Sequence, residues 1–496
     1  MKRKRILALF LAVVSCLSLA VSASAAGMTP REATDFKDYD RTAWYAEAVS
    51  AAVDNGLLYG KSSSIIDPNG DMTRAEMAAI INRSFGCYKT ADISQYKDVS
   101  KSKWYYKDVA LAVQMGTYNG RSSSSMAPDA PISRQEAMTV VARALELDYD
   151  AYAKTDLSAF SDRDKISAWA LPYVRSMVGA GYIHGRGKIL APLDNITRSE
   201  FAQIFYNIIG TYIVSKGTYD KDIKGSVLIR TDDVELKNLT VDGDLIIGCG
   251  AADGKITLDN VTITVPASVT RVPQGINCRK VVTTIELIGK NEIKFEGETY
   301  TDPYYLYGIN FSNNKACIRG KDKEKDTLKI TMPKAEGQVS YIMGITCYND
   351  ILVEACTLDI LCPEGKSLYG ISTSDGAAAR YSITIKNCTF NGTLGKDRKG
   401  TMQNVQYSIA SLLYAYGNDI TVTDSVINAG AYSKKNLAQS ALLEGKNITL
   451  TNCELALESK GGSKTEEGSH GSVRPIHVSN GKVALTNCHG RIESMN

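Results

Sequence analysis

Histidine is scarce in this sequence, with four in 496 residues, and none of its 11 cysteines forms a Cys-x-x-Cys pair. The usual ligand sets of a zinc site are therefore missing, and no metal or cofactor is expected. No apolar run reaches the roughly 20 residues a bilayer span requires. Gly461-Gly462-Ser463-Lys464-Thr465 has the tail of a phosphate loop but not its leading glycine or strand-to-helix setting, which removes a nucleotide-binding reading. Asn-Gly and Asp-Gly pairs seldom fall between neighbouring strand-like pieces, so tight hairpins are few. Tryptophan is limited to three positions, and those three give the first clue to organisation.

Residues 1–26 open on Lys2-Arg3-Lys4-Arg5, run apolar from Ile6 to Leu19 and end in Ser22-Ala23-Ser24-Ala25-Ala26. That is the layout of a secretory signal peptide. Val13-Val14-Ser15-Cys16 leaves a second reading open, lipidation at Cys16. Without the four basic residues of this leader, the formal charge of +3 becomes 53 Lys+Arg against 54 Asp+Glu, net −1. No electrostatic footprint remains for nucleic acid or an anionic membrane. The rest is too long for one core, so two or more domains are expected.

Trp44, Trp104 and Trp169 are 60 and 65 residues apart, and Arg74, Arg134 and Arg198 are 60 and 64 apart. Around them a unit recurs three times. Phe36-Lys37-Asp38, Tyr96-Lys97-Asp98 and Phe160-Ser161-Asp162 precede Trp44-Tyr45, Trp104-Tyr105 and Trp169-Ala170. A Gly pair, a Pro (Pro68, Pro128, Pro192) and then Thr73-Arg74-Ala75-Glu76, Ser133-Arg134-Gln135-Glu136 or Thr197-Arg198-Ser199-Glu200 follow. A hydroxyl residue three before Glu is a capping box, so each unit predicts helix, loop, helix. The Arg has no part in that cap and sits against the positive end of the helix dipole, so something other than helix stability is expected to keep it there.

These motifs, over residues 31 to 215, resemble the surface-layer homology (SLH) repeat. The resemblance implies an all-α three-repeat bundle around a pseudo-threefold axis that holds an exported bacterial protein to a secondary cell-wall polysaccharide. It further implies grooves between repeats that take an acidic, often pyruvylated, sugar terminus. Carried over by position, Arg74, Arg134 and Arg198 become carboxylate contacts, which suits the bidentate guanidinium fork. Asp38, Asp98, Asp162, Trp44, Trp104, Trp169, Lys61 and Arg121 complete the polymer-binding set. The Trp residues also admit a second role, as core anchors. The third repeat departs from the pattern, with Arg186-Gly187-Lys188 where the others carry Lys61-Ser62-Ser63-Ser64 and Arg121-Ser122-Ser123-Ser124-Ser125.

Boundaries are read as signal peptide 1–26, repeats 31–94, 95–155 and 156–218, linker 219–229 and a second domain 230–496. In that domain the period changes to two. Ile351-Leu352-Val353-Glu354-Ala355-Cys356, Ile383-Thr384-Ile385-Lys386-Asn387-Cys388, Ile420-Thr421-Val422-Thr423-Asp424-Ser425, Ile448-Thr449-Leu450-Thr451-Asn452-Cys453 and Val483-Ala484-Leu485-Thr486-Asn487-Cys488 start 32, 37, 28 and 35 residues apart. Strands recurring at this length predict a β-solenoid, with Asn in the αL conformation at a repeated corner and Cys packed inward as a small apolar group. The texture resembles a right-handed parallel β-helix of the pectate-lyase type, with a β-sandwich as the structural rival. Ten cysteines outlast the leader and are expected to be mostly thiols, because side chains stacked in a parallel ladder point the same way.

For this half no catalytic residue is assigned. Glu354, Asp359 and Asp424 do not recur at one rung, although Glu354 and Asp424 remain a pair that can meet across coils. The Tyr-rich pieces (Tyr304, Tyr305, Tyr307, Tyr341, Tyr348, Tyr369, Tyr381, Tyr407, Tyr414, Tyr416) suit either half-buried strand positions or a sugar-stacking platform. The expected function is a wall-anchored surface protein displaying a structural or glycan-contacting β-helix. The alternatives are a polysaccharide lyase or hydrolase and a carbohydrate-binding adhesin, with an extracellular glycan as the further partner.

Overall fold

A computed structural model describes residues 32–495 apart from 148, 151, 253, 267–273, 280–282, 298, 302–304, 313–314, 337–340, 366, 374–380, 397–408, 416, 433–439, 461–472 and 479–480. The expected leader, Tyr304, Tyr407, Tyr416 and His470 lie outside the described residues. Six α-helices come first: α1 Ala46–Asp54, α2 Arg74–Phe85, α3 Tyr106–Met115, α4 Arg134–Ala144, α5 Leu171–Gly179 and α6 Arg198–Ile208. The three predicted capping boxes open α2, α4 and α6, with the Thr73, Ser133 and Thr197 hydroxyls each accepting from the Glu three residues on.

The second helix of each repeat packs on the first helix of the next, α2 on α3, α4 on α5 and α6 back on α1. The three units therefore close a ring. At its centre the Met72 N–H donates to Ile196 O, the Ile132 N–H to Met72 O and the Ile196 N–H to Ile132 O, at 3.0–3.1 Å. All three side chains are buried, which takes an apolar seam out of water around a pseudo-threefold axis.

Among the described residues, the rest of the chain forms three sheets of ten parallel strands and one small parallel pair, Thr299–Thr301 with Lys334–Glu336. Each coil contributes one strand to each sheet. Coil one is β1 Thr211–Ile213, β2 Gly217–Tyr219 and β3 Ile223–Lys224, and coil two begins at β4 Val227–Ile229. The solenoid thus starts before residue 230, inside the stretch read as third repeat and linker. The physical reason is length, since strands of two or three residues are too short to show alternation. Every paired neighbour is parallel, which removes the sandwich, whose hairpins require antiparallel neighbours.

Inside the stack, apolar side chains sit one above another. Val353, Ile385, Val422 and Leu450 occupy one register column of the second sheet and are at most 1% exposed. Burying each contributes roughly 1.5–3 kcal/mol. The corners are as expected: Asn238, Asn260, Asn387, Asp424, Asn452 and Asn487 have φ of 49–55°. The Asn452 amide donates to Asp424 at 2.8 Å and Asn487 to Asn452 at 3.2 Å. Cys356, Cys388 and Cys453 point inward and are buried, as is Ser425 in the same slot, and among the described residues the ladder cysteines form no disulfide.

Candidate groove site between the repeats

The loop before each capped helix organises the junctions. Asp38 accepts the N–H of Ile66 and Asp67, Asp98 those of Met126 and Ala127, and Asp162 those of Leu190 and Ala191, all at 2.7–2.9 Å. Asp67, Ala127 and Ala191 have φ of 51–54°, a conformation that costs about 1–3 kcal/mol unless its surroundings hold it. Each Asp is the holder. The braced loop then receives the helix start of the preceding repeat. The Arg74 and Ala75 N–H groups donate to Ala130 O and Pro128 O, those of Arg134 and Gln135 to Asp194 O and Pro192 O, and those of Arg198 and Ser199 to Gly70 O and Pro68 O. First-turn donors that a helix cannot satisfy internally are satisfied by the neighbouring unit.

The arginine side chains follow the same path. Nε of Arg74, Arg134 and Arg198 donates to Met126 O, Leu190 O and Ile66 O, each at 2.9 Å. Arg74 Nη1 then meets Glu136 at 3.0 Å, Arg134 meets Glu200 at 3.0 Å and Arg198 meets Glu76 at 3.4 Å. The ring is closed by three ion pairs between different repeats. This is the duty that sequence reasoning could not give the Arg, and these side chains are only 3–6% exposed.

Each Glu carries a second cation. Lys61 lies 2.5 Å from Glu76, Arg121 3.1 Å from Glu136 and Arg186 2.7 Å from Glu200, and these three are 35–44% exposed. Arg186 fills the third repeat's place despite its different loop sequence. Burial pushes the three carboxyls up, but hydrogen bonds from these outer cations and the helix N-cap N–H, with the charge of the inner arginines, overcome it and hold each below the ordinary Glu value. At the first two junctions two cations share one carboxylate, whereas at the third Arg186 also pairs with Asp194 at 3.1 Å, so that its two cations face two carboxylates. Glu76, Glu136, Glu200 and Arg186 were missed as site residues because the capping box already explained the Glu.

Trp44, Trp104 and Trp169 are 64%, 58% and 52% exposed, so they are not the core anchors. Those are the next residues, Tyr45, Tyr105 and Ala170, all buried. Trp44 and Trp104 stand edge-on to Tyr45 and Tyr105, with centroids 5.5 and 5.4 Å apart. The Tyr105 hydroxyl donates to Asp129 at 2.9 Å, beside Pro128 in the braced loop.

With this geometry in place, comparison decides the family of the bundle. The family model for the S-layer homology domain matches residues 35–78, 95–138 and 159–202. The N-terminal ring is three S-layer homology domains. The chain is 33% identical over 182 residues to the surface-layer 125 kDa protein of Lysinibacillus sphaericus, covering 36% of this chain and 15% of that one. It is 28% identical over 186 residues to a cellulosome-anchoring protein of Acetivibrio thermocellus, 36% of this chain and 38% of that one. A third relative, a cell surface protein of Thermoanaerobacter kivui, is 26% identical over 302 residues, 60% and 35% of the two chains. The matches thus span well under half of each relative. The S-layer homology domains make this a cell-wall-anchored surface protein. Among the described residues no helix is long and apolar enough to cross a membrane.

On the solenoid, Glu354 and Asp424 do not meet. Glu354 shares its register row with Lys386 and Thr423 and reaches Arg319 at 3.8 Å, whereas Asp424 sits at a corner accepting from Asn452. Asp359 accepts from Asn391. The tyrosines divide: Tyr307 and Tyr369 are buried, while Tyr305 stacks on Tyr341 with centroids 5.1 Å apart. A hollow of about 340 Å³ lies on the third sheet, lined among others by Asn391, Asn428, Tyr432, Glu458, Arg491 and Glu493. Among the described residues no three metal-ligating side chains gather.

Proposed function

We propose that the three inter-repeat grooves bind an acidic, pyruvylated secondary cell-wall polysaccharide, and that the β-helix is displayed outward as a structural surface. The observation that carries the reading is the outer, solvent-reaching cation at each junction, which shares one glutamate with an inner arginine and leaves an excess of positive charge at the Glu76 and Glu136 junctions. A sugar carboxylate arriving there meets the outer cation through charge-assisted hydrogen bonds, worth roughly 1.5–3 kcal/mol each. In this reading Arg74, Arg134 and Arg198 set the inner wall, Lys61, Arg121 and Arg186 meet the anion, Asp38, Asp98 and Asp162 hold the loops, and the exposed Trp faces offer apolar surface to the sugar ring. The cellulosome-anchoring relative fits an anchoring role.

The test is calorimetric titration of the intact chain with purified wall polymer before and after mild acid removes its ketal-linked carboxylates. Binding that disappears with the carboxylates supports the proposal, and equal binding refutes it. A second reading, a glycan-contacting β-helix, is favoured by the third-sheet hollow, whose amide, carboxylate, guanidinium and phenol groups suit sugar hydroxyls. Loss of soluble-oligosaccharide binding on Tyr432→Ala supports that reading.

A further inference from the structure

Where the ring meets the solenoid, the two units are packed together. Leu228 and Ile246, on solenoid strands, are buried in the helical core, and Arg230 donates to Arg83 O at 2.8 Å and to Asn55 O at 3.0 Å. Gly86 ends α2 in the αL conformation, φ 70°, and turns Cys87 toward the solenoid. Cys249 lies opposite, flanked by Gly248 and Gly250. A Cβ on Gly248 would lie 2.7 Å from Phe85 O, and one on Gly250 would lie 2.9 Å from the Gly86 Cα. The glycines thus permit a backbone approach that brings the Cys87 and Cys249 sulfurs to 2.6 Å. Non-bonded carbon-sized atoms rest about 3.5–4.0 Å apart.

We propose that Cys87 and Cys249 are a disulfide site that covalently staples the S-layer homology ring to the β-helix in an oxidising exterior. Both residues are partly exposed, open to a low-molecular-weight disulfide. One cysteine thiolate attacks that oxidant, forming a mixed disulfide and expelling one small thiol. The second cysteine then attacks the protein sulfur of the mixed disulfide and expels the other small thiol. The two cysteines lose two electrons and two protons, and the oxidant leaves as two thiols. Cys356 and Cys388 also touch in the ladder, but they are sealed inside the stack.

The test equilibrates the full chain with oxidised or reduced glutathione, blocks remaining thiols with an alkylating agent and digests it with trypsin without reduction. The site predicts a linked pair of peptides, 84–89 with 238–255, after oxidation, its loss on adding dithiothreitol, and a thiol count that falls by two from the eleven of the reduced full chain. Oxidation also raises the melting temperature of the wild type and leaves that of Cys249→Ser unchanged. Alkylation of both peptides after oxidation, or glutathione retained on either cysteine, overturns the proposal. The peptide readout uses the wild type, so it stands whether or not the variant folds.

Discussion

The two halves of the chain both repeat a short unit, yet one closes and the other grows. In the ring, each unit hands its unsatisfied helix start and its arginine to the next, and the third hands them back to the first. In the stack, each coil offers a backbone ladder and an apolar column to the next. Each coil covers the one before it: Leu450, in register with Leu485, is buried. The lesson concerns where specificity resides. A closed ring of three places a buried charge at each of only three junctions, while a stack spreads its stability over many equivalent layers.

The largest effect that would sharpen this contrast is expected from Arg134→Ala. It takes the inner partner from Glu200, which keeps Arg186, and the donor from Leu190 O, and removing one partner of a buried pair costs up to about 3–5 kcal/mol. Helical ellipticity should melt much earlier while the β signal holds; simultaneous loss of both would show that the ring and stack are not independent. Next comes Asn387→Val, which forces a β-branched residue into the αL corner at about 1–3 kcal/mol. That variant should lower the β transition and spare the helical one, and Asn387→Gly should be close to neutral.

Acid offers a third separation. The folded-state values of Glu76, Glu136 and Glu200 lie below the ordinary 4.5, so their contribution is complete above that value and is lost as pH falls through the lowered ones. A pH series of melts should show the helical transition weakening below about pH 4.5. The smallest effect on stability belongs to Trp104→Ala, within about 0.5 kcal/mol for an exposed side chain, although it should reduce retention on cell walls. A large drop in melting temperature there would give the Trp a packing role that its exposure argues against.

Much of this contrast was legible in the residues. Capping boxes, the Trp and Arg spacing, strand columns such as Val353 to Leu450, and the Asn-Cys corners are local patterns, and local patterns survive in sequence. Coil one was not legible because its strands are too short to alternate. Nor was the role of Arg74, whose partners Met126 and Glu136 lie 52 and 62 residues away. The capping reading of Glu136 was correct yet incomplete, since one carboxylate serves the cap, Arg74 and Arg121 together. The resemblance named the three inner arginines with Lys61 and Arg121, but Arg186, the three glutamates and the division into inner and outer cations required the fold.

That division is the central claim and can be tested with one variant, Lys61→Ala/Arg121→Ala/Arg186→Ala. The three outer cations are partly exposed, and such pairs contribute about 0.2–1 kcal/mol each to stability, while the inner arginines keep the ring closed. The measurement is retention of the full-length variant on native cell walls, with its melting curve recorded alongside. A fall in affinity of about tenfold or more, equal to about 1.4 kcal/mol, with helical melting little changed, is the predicted result. Wild-type retention by a folded triple variant would contradict it.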